Sequence, residues 1–213
     1  MTKLIFVRHG YSEGNLLGEF HGHMDGDLTE LGHEQAECAG VYLKNRKIDV
    51  AYSSDLRRAY KTALHITKYH GIEPIKDENL REIYAGEWEG KKFSELERDY
   101  PELYGTWRSD PADFVSIDGE SMREVYDRLK NEVERIVGEN HGKTVLVATH
   151  ATPLRCLACT WLGKPLSEFN SVAWMNNAAI SEIDYADDGT ITPIVINYTE
   201  HLGDLVTALP KTI

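Results

Sequence analysis

The length, composition and charge of the chain indicate a soluble globular protein. With 213 residues, 41% hydrophobic and 27% charged, it suits one domain spanning 1–213. The formal net charge of −12 excludes nucleic acid and anionic membranes as expected partners. The apolar runs are too short to cross a bilayer, and the N-terminus lacks a signal-peptide pattern. The odd number of cysteines, three, argues against a disulfide framework. We therefore expect a cytoplasmic location.

Apolar runs predict five strands. The runs at 4–7 and 144–148 are continuous, as in strands that are buried within a parallel sheet. A third run lies at 50–53. The last two, at 179–185 and 191–198, flank an Asp188-Gly189 turn and predict a terminal hairpin.

Helical periodicity and capping residues predict six helices, at 29–45, 56–70, 93–99, 101–107, 121–138 and 154–162. Thr29 is the expected N-cap of the first, and residues 53–55 supply capping groups for the second. Cys156 and Cys159 fall on one face of the last helix, which favours core packing over redox chemistry. Residues 80–90 show no sustained period and predict an ordered loop.

The first predicted strand ends in residues suited to an anion. Arg8 and His9 follow the run directly, and ligands of open α/β sheets bind beyond the carboxyl ends of the strands. Gly10 and Gly14 let the backbone approach an anion closely, and Asn15 offers an amide. This stretch therefore predicts a phosphate pocket.

Other predicted strand ends carry further basic groups. Arg57 and Arg58 fall in the first turn of a helix, where free backbone N–H groups and the helix dipole favour anions. His150 follows the strand at 144–148, and Glu82 lies in the loop at 80–90. Because the ends of parallel strands meet at one edge of the sheet, we expect these groups to converge.

Two alternatives compete with this interpretation. Taken by itself, Glu82 is a solvated acid paired with Arg81. The histidines His21, His23 and His33 suggest a metal site, but no Cys or Asp/Glu cluster accompanies them at ligand spacing, so we expect no metal.

An ordered set of motifs resembles the histidine phosphatase superfamily, the phosphoglycerate-mutase-like proteins. The resemblance spans nearly the whole chain, and its order makes it more specific than any single motif. It is carried by Arg8-His9-Gly10-x-Ser12-x-x-Asn15, Leu28-Thr29-x-x-Gly32, Ser53-Ser54-x-Leu56-x-Arg58-Ala59-x-x-Thr62-Ala63, Glu82-x-x-x-Gly86-x-Trp88-Glu89-Gly90, Gly119-Glu120-Ser121 and Thr149-His150.

The resemblance implies an α/β fold, a three-layer sandwich whose mostly parallel central sheet is flanked by helices. It also implies catalysis without a cofactor on a small phosphorylated metabolite. In the roles carried over, His9 is the phosphorylated nucleophile, Glu82 the proton donor, and Arg8, Asn15, Arg58 and His150 the phosphate pocket, with His150 also counted as catalytic. His21 and Gly22 fall where mutases of the family contact substrate.

The chemistry of phosphoryl transfer explains why these residue types are needed. A dianionic monoester needs cations, which arginines supply permanently and His150 supplies when protonated. The nucleophile His9 must be unprotonated on one nitrogen, which nearby arginines favour. Glu82 can protonate the leaving alkoxide and then activate the water that hydrolyses phosphohistidine.

Within the resemblance, a phosphatase of the broad-specificity or α-ribazole type is favoured over a phosphoglycerate mutase. The segment 93–118 has Arg98 and Arg108 as its only cations and lacks the Arg-Arg pair of the mutases, although Lys91 and Lys92 offer a partial substitute. A phosphate-binding scaffold without turnover is the non-enzyme alternative. The oligomeric state stays open between a monomer and a homo-oligomer.

Overall fold

A six-stranded mixed sheet forms the centre of the protein in the computed structural model, which describes residues 1–208. The strand order is β3-β2-β4-β1-β5-β6, with β1 to β4 mutually parallel where they pair and β5 and β6 antiparallel. The strands are β1 (Thr2–Arg8), β2 (Val50–Ser53), β3 (Ile75–Lys76), β4 (Thr144–Thr149), β5 (Ile180–Tyr185) and β6 (Ile191–Tyr198). The mostly parallel sheet and the terminal hairpin are as predicted.

Helices cover both faces of this sheet, as the three-layer prediction requires. They are α1 (Glu13–Leu17), α2 (Glu30–Leu43), α3 (Arg57–Thr67), α4 (Phe93–Asp99), α5 (Pro101–Ser109), α6 (Met122–Glu139) and α7 (Ala151–Trp161). Alternate residues of β1 separate the two cores: Ile5 and Val7 pack with α2 and α3, whereas Leu4 and Phe6 pack with α6 and α7. The second core continues into α4 and α5.

Four elements differ from the sequence-based prediction. The helix α7 begins at Ala151, three residues before the predicted start, because Pro153 lies in the first turn, where its missing N–H is not needed. The short α1 and β3 were not predicted, since neither presents a sustained apolar pattern. At the start of α3 the predicted capping residues 53–55 contribute only Ser54, whose Oγ accepts the Leu56 N–H at 3.4 Å, while the carboxylate of Asp25 accepts the Arg57 N–H at 2.7 Å.

The remaining local predictions agree with the structure. Thr29 caps α2 by accepting the Gly32 N–H at 3.1 Å. Residues 80–90 form an ordered loop whose Trp88 is fully buried. Cys156 and Cys159 are buried, free and packed in the core. Within residues 1–208, no helix is both long and apolar enough to cross a membrane.

Candidate active site

A cavity at the carboxyl edge of the parallel strands collects most of the predicted site residues. It encloses about 620 Å³, open solvent at its mouth included. Its lining includes Arg8, His9, Asn15, His21, Gly22, Arg58 and Glu82. His150 is buried next to this lining, with its ring centroid 5.2 Å from that of His9. The convergence expected of the strand ends is therefore observed.

The imidazole of His9 is held neutral and in one orientation. Its Nδ1 donates to the carbonyl of Gly10 at 2.7 Å, which leaves the lone pair on Nε2. The ring is 4% exposed, and its pKa lies well below the usual 6.5 because burial and the nearby Arg58 and Arg8 disfavour a further positive charge. This is the protonation state that a nucleophilic imidazole requires.

The two glycines near His9 have different surroundings. A Cβ on Gly10 would lie 2.3 Å from the Gly32 carbonyl oxygen, so Gly10 allows close packing of the loop against α2. Gly14 does line the cavity, where a Cβ would meet the His21 ring at 2.5 Å.

Two buried guanidinium groups supply the positive charge. Arg8 donates from Nη1 to the Met175 carbonyl at 2.6 Å, and Arg58 donates from its two Nη atoms to the carbonyls of Gly22 and Met24, both at 2.8 Å. Burial lowers the pKa of each arginine to about 10, an effect that the carboxylate of Glu82 opposes. Neither forms an ion pair within 4.0 Å among the described residues, so both charges are available to an anion.

The side chain of Asn15 is oriented by an asparagine that the sequence analysis missed. Its Oδ1 accepts from the Ser12 N–H at 3.2 Å and from Asn177 Nδ2 at 3.0 Å. The Nδ2 group of Asn15 has no partner in the part of the chain that the structure describes, which leaves it free to donate to an anion. Asn177 also donates to the His9 carbonyl at 3.1 Å, and its location after a long loop gives no periodic signal that could have identified it.

His150 is neutral in the folded protein, so it adds no permanent charge to the pocket, which modifies the prediction that it supplies charge when protonated. Burial, followed by the charge of Arg58, holds its pKa well below 6.5. Its Nε2 shares a hydrogen bond with Ser54 Oγ at 2.8 Å, and its Nδ1 is buried without a partner among residues 1–208. His150 can therefore act as a neutral donor to a phosphate oxygen and gain a proton only together with an anion.

Glu82 faces the cavity and is not paired with Arg81. Its Oε1 accepts from the Ile83 N–H at 2.8 Å and its Oε2 from the Thr152 N–H at 3.3 Å, in the first turn of α7. Arg81 instead donates to Asp55 at 2.7 Å, so the solvated ion-pair alternative is wrong. Thr152 was missed because α7 was predicted to begin two residues beyond it.

The histidines considered as metal ligands are spread over separate contacts. His21 Nε2 donates to Glu19 at 3.2 Å, His23 Nε2 donates to the Glu82 carbonyl at 2.9 Å, and His33 bonds to His65 at 3.0 Å. Across the described range 1–208, no group of three or more His, Cys, Asp or Glu side chains is placed to hold a metal ion.

Comparison with known proteins decides the family. The sequence profile of the histidine phosphatase superfamily (branch 1) matches residues 4–196. The chain belongs to this superfamily. Phosphoserine phosphatase 1 of Hydrogenobacter thermophilus is 37% identical over 213 residues, which cover 100% of both chains. The predicted resemblance, the α/β fold and the phosphatase class are thus confirmed.

Solved structures of histidine phosphatases share the fold. The protein YhfR of Bacillus stearothermophilus superposes with a TM-score of 0.91 at 30% identity, covering 95% of this chain and 100% of that one. A putative alpha-ribazole-5'-P phosphatase of Escherichia coli gives a TM-score of 0.84 at 25% identity, covering 92% and 96%.

The two buried neutral imidazoles predict that this histidine phosphatase loses stability in acid. The unfolded chain binds protons on both rings below pH 6.5, whereas the folded chain does not until pH reaches their lowered pKa values. Each ring therefore removes about 1.4 kcal/mol from the unfolding free energy per pH unit below 6.5. Urea denaturation at pH 7.5, 6.0 and 5.0 measures this slope.

A variant isolates the imidazole contribution from that of titrating carboxylates. His150→Gln, which cannot ionise, should show a shallower loss of stability between pH 7.5 and 5.0 than the unmodified protein, and His141→Ala, which removes an exposed ring, should not. Parallel curves for all three proteins would contradict the assigned protonation states.

Proposed function

We propose that the protein hydrolyses small phosphate monoesters through a phosphohistidine on His9, with Glu82 as proton donor and acceptor. The observation that carries the proposal is the neutral, oriented imidazole of His9, which lies in one cavity with Arg8, Arg58 and Glu82. A nucleophile, permanent cations and a carboxyl group are the parts that metal-free phosphoryl transfer needs.

In the first half-reaction, Nε2 of His9 attacks the phosphorus and the ester P–O bond breaks. The arginines, together with Asn15 Nδ2 and His150 Nδ1, bind the phosphoryl oxygens as charge redistributes. The leaving oxygen takes a proton from the carboxyl group of Glu82. In the second, water gives a proton to the Glu82 carboxylate and attacks the phosphorus, which breaks the P–N bond and releases inorganic phosphate.

The lining of the cavity favours hydrolysis over mutase activity. A mutase must hold a bisphosphate in a dry cleft, which needs a second set of cations. Beyond Arg8 and Arg58, the charged residues of the lining are the acids Glu19 and Glu82, and the described lining contains no lysine. Lys91, offered as a substitute cation, instead lies 5.9 Å from the ring centroid of Tyr100. The scaffold alternative is disfavoured because the proposed nucleophile His9 and the proposed proton donor Glu82 line the same cavity.

Phosphate release measured against phosphoglycerate interconversion tests the proposal. We expect inorganic phosphate from several unrelated monoesters, with L-phosphoserine included because of the phosphoserine phosphatase relative, and slow or absent exchange between 3- and 2-phosphoglycerate. All assays contain a chelator, since the proposed mechanism uses no metal and no cofactor. A mutase rate far above phosphate release, or activity that needs added zinc or magnesium, would overturn the assignment.

We also propose the domain organisation, the cellular location and the partner class of the protein. One sheet joins strands from Thr2 to Tyr198, which supports a single domain over 1–213, and residues 209–213 lie outside the described part. Three unpaired cysteines support a reducing, cytoplasmic location. The charge of −12 supports a small phosphorylated metabolite as partner in place of nucleic acid or a membrane.

A further inference from the structure

Arg155 is a buried cation that the proposed mechanism does not use. It lies on α7 and is 6% exposed. Its guanidinium carbon lies 4.2 Å from the ring centroid of Phe169 and 4.3 Å from that of Trp174, and its Nε donates to the Val172 carbonyl at 2.7 Å. These contacts fix the plane and position of the guanidinium group.

The charge of Arg155 is uncompensated in the part of the chain that the structure describes. No carboxylate lies within 4.0 Å of it before residue 209, and its Nη1 has no hydrogen-bond partner there. Burial lowers the pKa of Arg155 to about 10. The groups that oppose this shift are the nearby thiols of Cys159 and Cys156, whereas for Arg8 and Arg58 the opposing group is the carboxylate of Glu82. An unpaired buried charge is costly, so a partner for it is expected.

A cleft lies next to this guanidinium and carries a second cation. Its lining comprises Trp107, Arg108, Arg155, Asn170, Ser171, Val172, Ala173 and Trp174. The exposed Arg108 has no ion-pair partner among residues 1–208. Asn170 Nδ2 donates to the carbonyl of Ser109 at 2.7 Å and so ties the end of α5 to this cleft. The two arginines therefore face one space from different elements.

The cleft lies against the catalytic cavity. Trp107 and Trp174 line both spaces, so these two side chains form a shared wall. On α7, Thr152 lines the catalytic cavity and Arg155, one helical turn later, lines the cleft. An occupant of the cleft would thus contact side chains that also line the catalytic cavity.

We propose that this cleft is a second anion-binding site, in which Arg155 and Arg108 take a carboxylate or phosphate group of a small molecule. The planar, fixed guanidinium of Arg155 suits a two-oxygen anion, and the exposed Arg108 offers a second cation from the solvent side of the cleft. The anionic group belongs either to the leaving group of a substrate or to a separate effector, and the two sources share this chemistry.

Direct binding is tested with succinate on enzyme whose catalytic cavity is saturated with vanadate. We expect a saturable change in tryptophan fluorescence, because Trp107 and Trp174 line the cleft. Arg155→Met and Arg108→Gln should each weaken succinate binding at least about tenfold, the loss of one charge-assisted hydrogen bond. Lys130→Gln, which removes an exposed cation on α6, should leave it unchanged.

Arg108→Gln keeps the test decisive if the buried Arg155→Met variant does not fold, since Arg108 is exposed. An absent or non-saturable signal, or equal binding by the wild type and Arg108→Gln, would overturn the proposal. Hydrolysis of p-nitrophenyl phosphate by the same variants should stay at the wild-type rate, so a failure of the second site is distinguishable from a failure of the catalytic proposal.

Kinetics then separate the two sources of the anion. If the anion is part of the substrate, Arg155→Met lowers kcat/KM for L-phosphoserine but not for phosphoethanolamine, which lacks the carboxylate. If it is a separate effector, both substrates respond alike and succinate changes kcat without competing. Either result supports the site. Wild-type kinetics with both substrates in every variant, together with no response to succinate, would contradict it.

Discussion

Replacing His9 with alanine is expected to reduce phosphate release by about four orders of magnitude or more, the size of effect seen when a covalent nucleophile is removed. The reason is that the free Nε2 lone pair of the neutral His9 ring is the proposed attacking group, and alanine removes it from the cavity that also holds Arg8 and Arg58. Steady-state release of phosphate from p-nitrophenyl phosphate measures the loss. The exposed His141, replaced in the same way, provides the matched control and should retain full activity.

A covalent label gives the same prediction a second readout. Rapid quenching with a labelled monoester should leave an acid-labile, alkali-stable phosphate on the peptide that contains His9, and none in His9→Ala. Near wild-type turnover by His9→Ala, or a label on another peptide, would show that the mechanism is wrong.

The layered fold could be predicted because its signals are local. Continuous apolar runs identified β1 and β4, and helical spacing identified α6. The start of α7 could not be read in the same way, because Pro153 interrupts the pattern while fitting the first helical turn. The strand β3 has two residues, both exposed, and exists only through pairing with β2.

The site could be predicted because its residues lie near strand ends that meet at one edge of the sheet. The errors in that prediction arose from burial and from contacts between distant parts of the chain. The chain order of Arg8, His9 and Arg58 indicated an anion pocket, and the structure brings them together. The neutral state of His150 follows from burial, which a strand-end motif does not reveal. Asn177 reaches the nucleophile from a segment 168 residues away along the chain, a relation with no sequence signature.

Glu82→Gln is expected to slow the two half-reactions to different extents. The amide oxygen can still accept from one of the two backbone N–H groups, those of Ile83 and Thr152, but the NH2 group cannot accept the other and the amide cannot give or take a proton. A phosphate ester of an alcohol, whose leaving oxygen needs a proton, should be hydrolysed about 10²- to 10⁴-fold more slowly. p-Nitrophenolate leaves without protonation, so transfer from p-nitrophenyl phosphate to His9 should be nearly unaffected while hydrolysis of the phosphohistidine is slow.

Fast transfer to His9 followed by slow hydrolysis of the phosphohistidine predicts a burst of p-nitrophenol in Glu82→Gln. The burst should equal one equivalent of enzyme, should be followed by slow turnover and should be absent from the wild type. Stopped-flow absorbance measures the burst, and L-phosphoserine under the same conditions should show no burst because its first step is slowed. Glu87→Gln, an exposed change in the same loop, is the control and should behave like the wild type. An equal loss for both substrates with no burst would assign Glu82 to binding, and another group would then have to protonate the leaving oxygen.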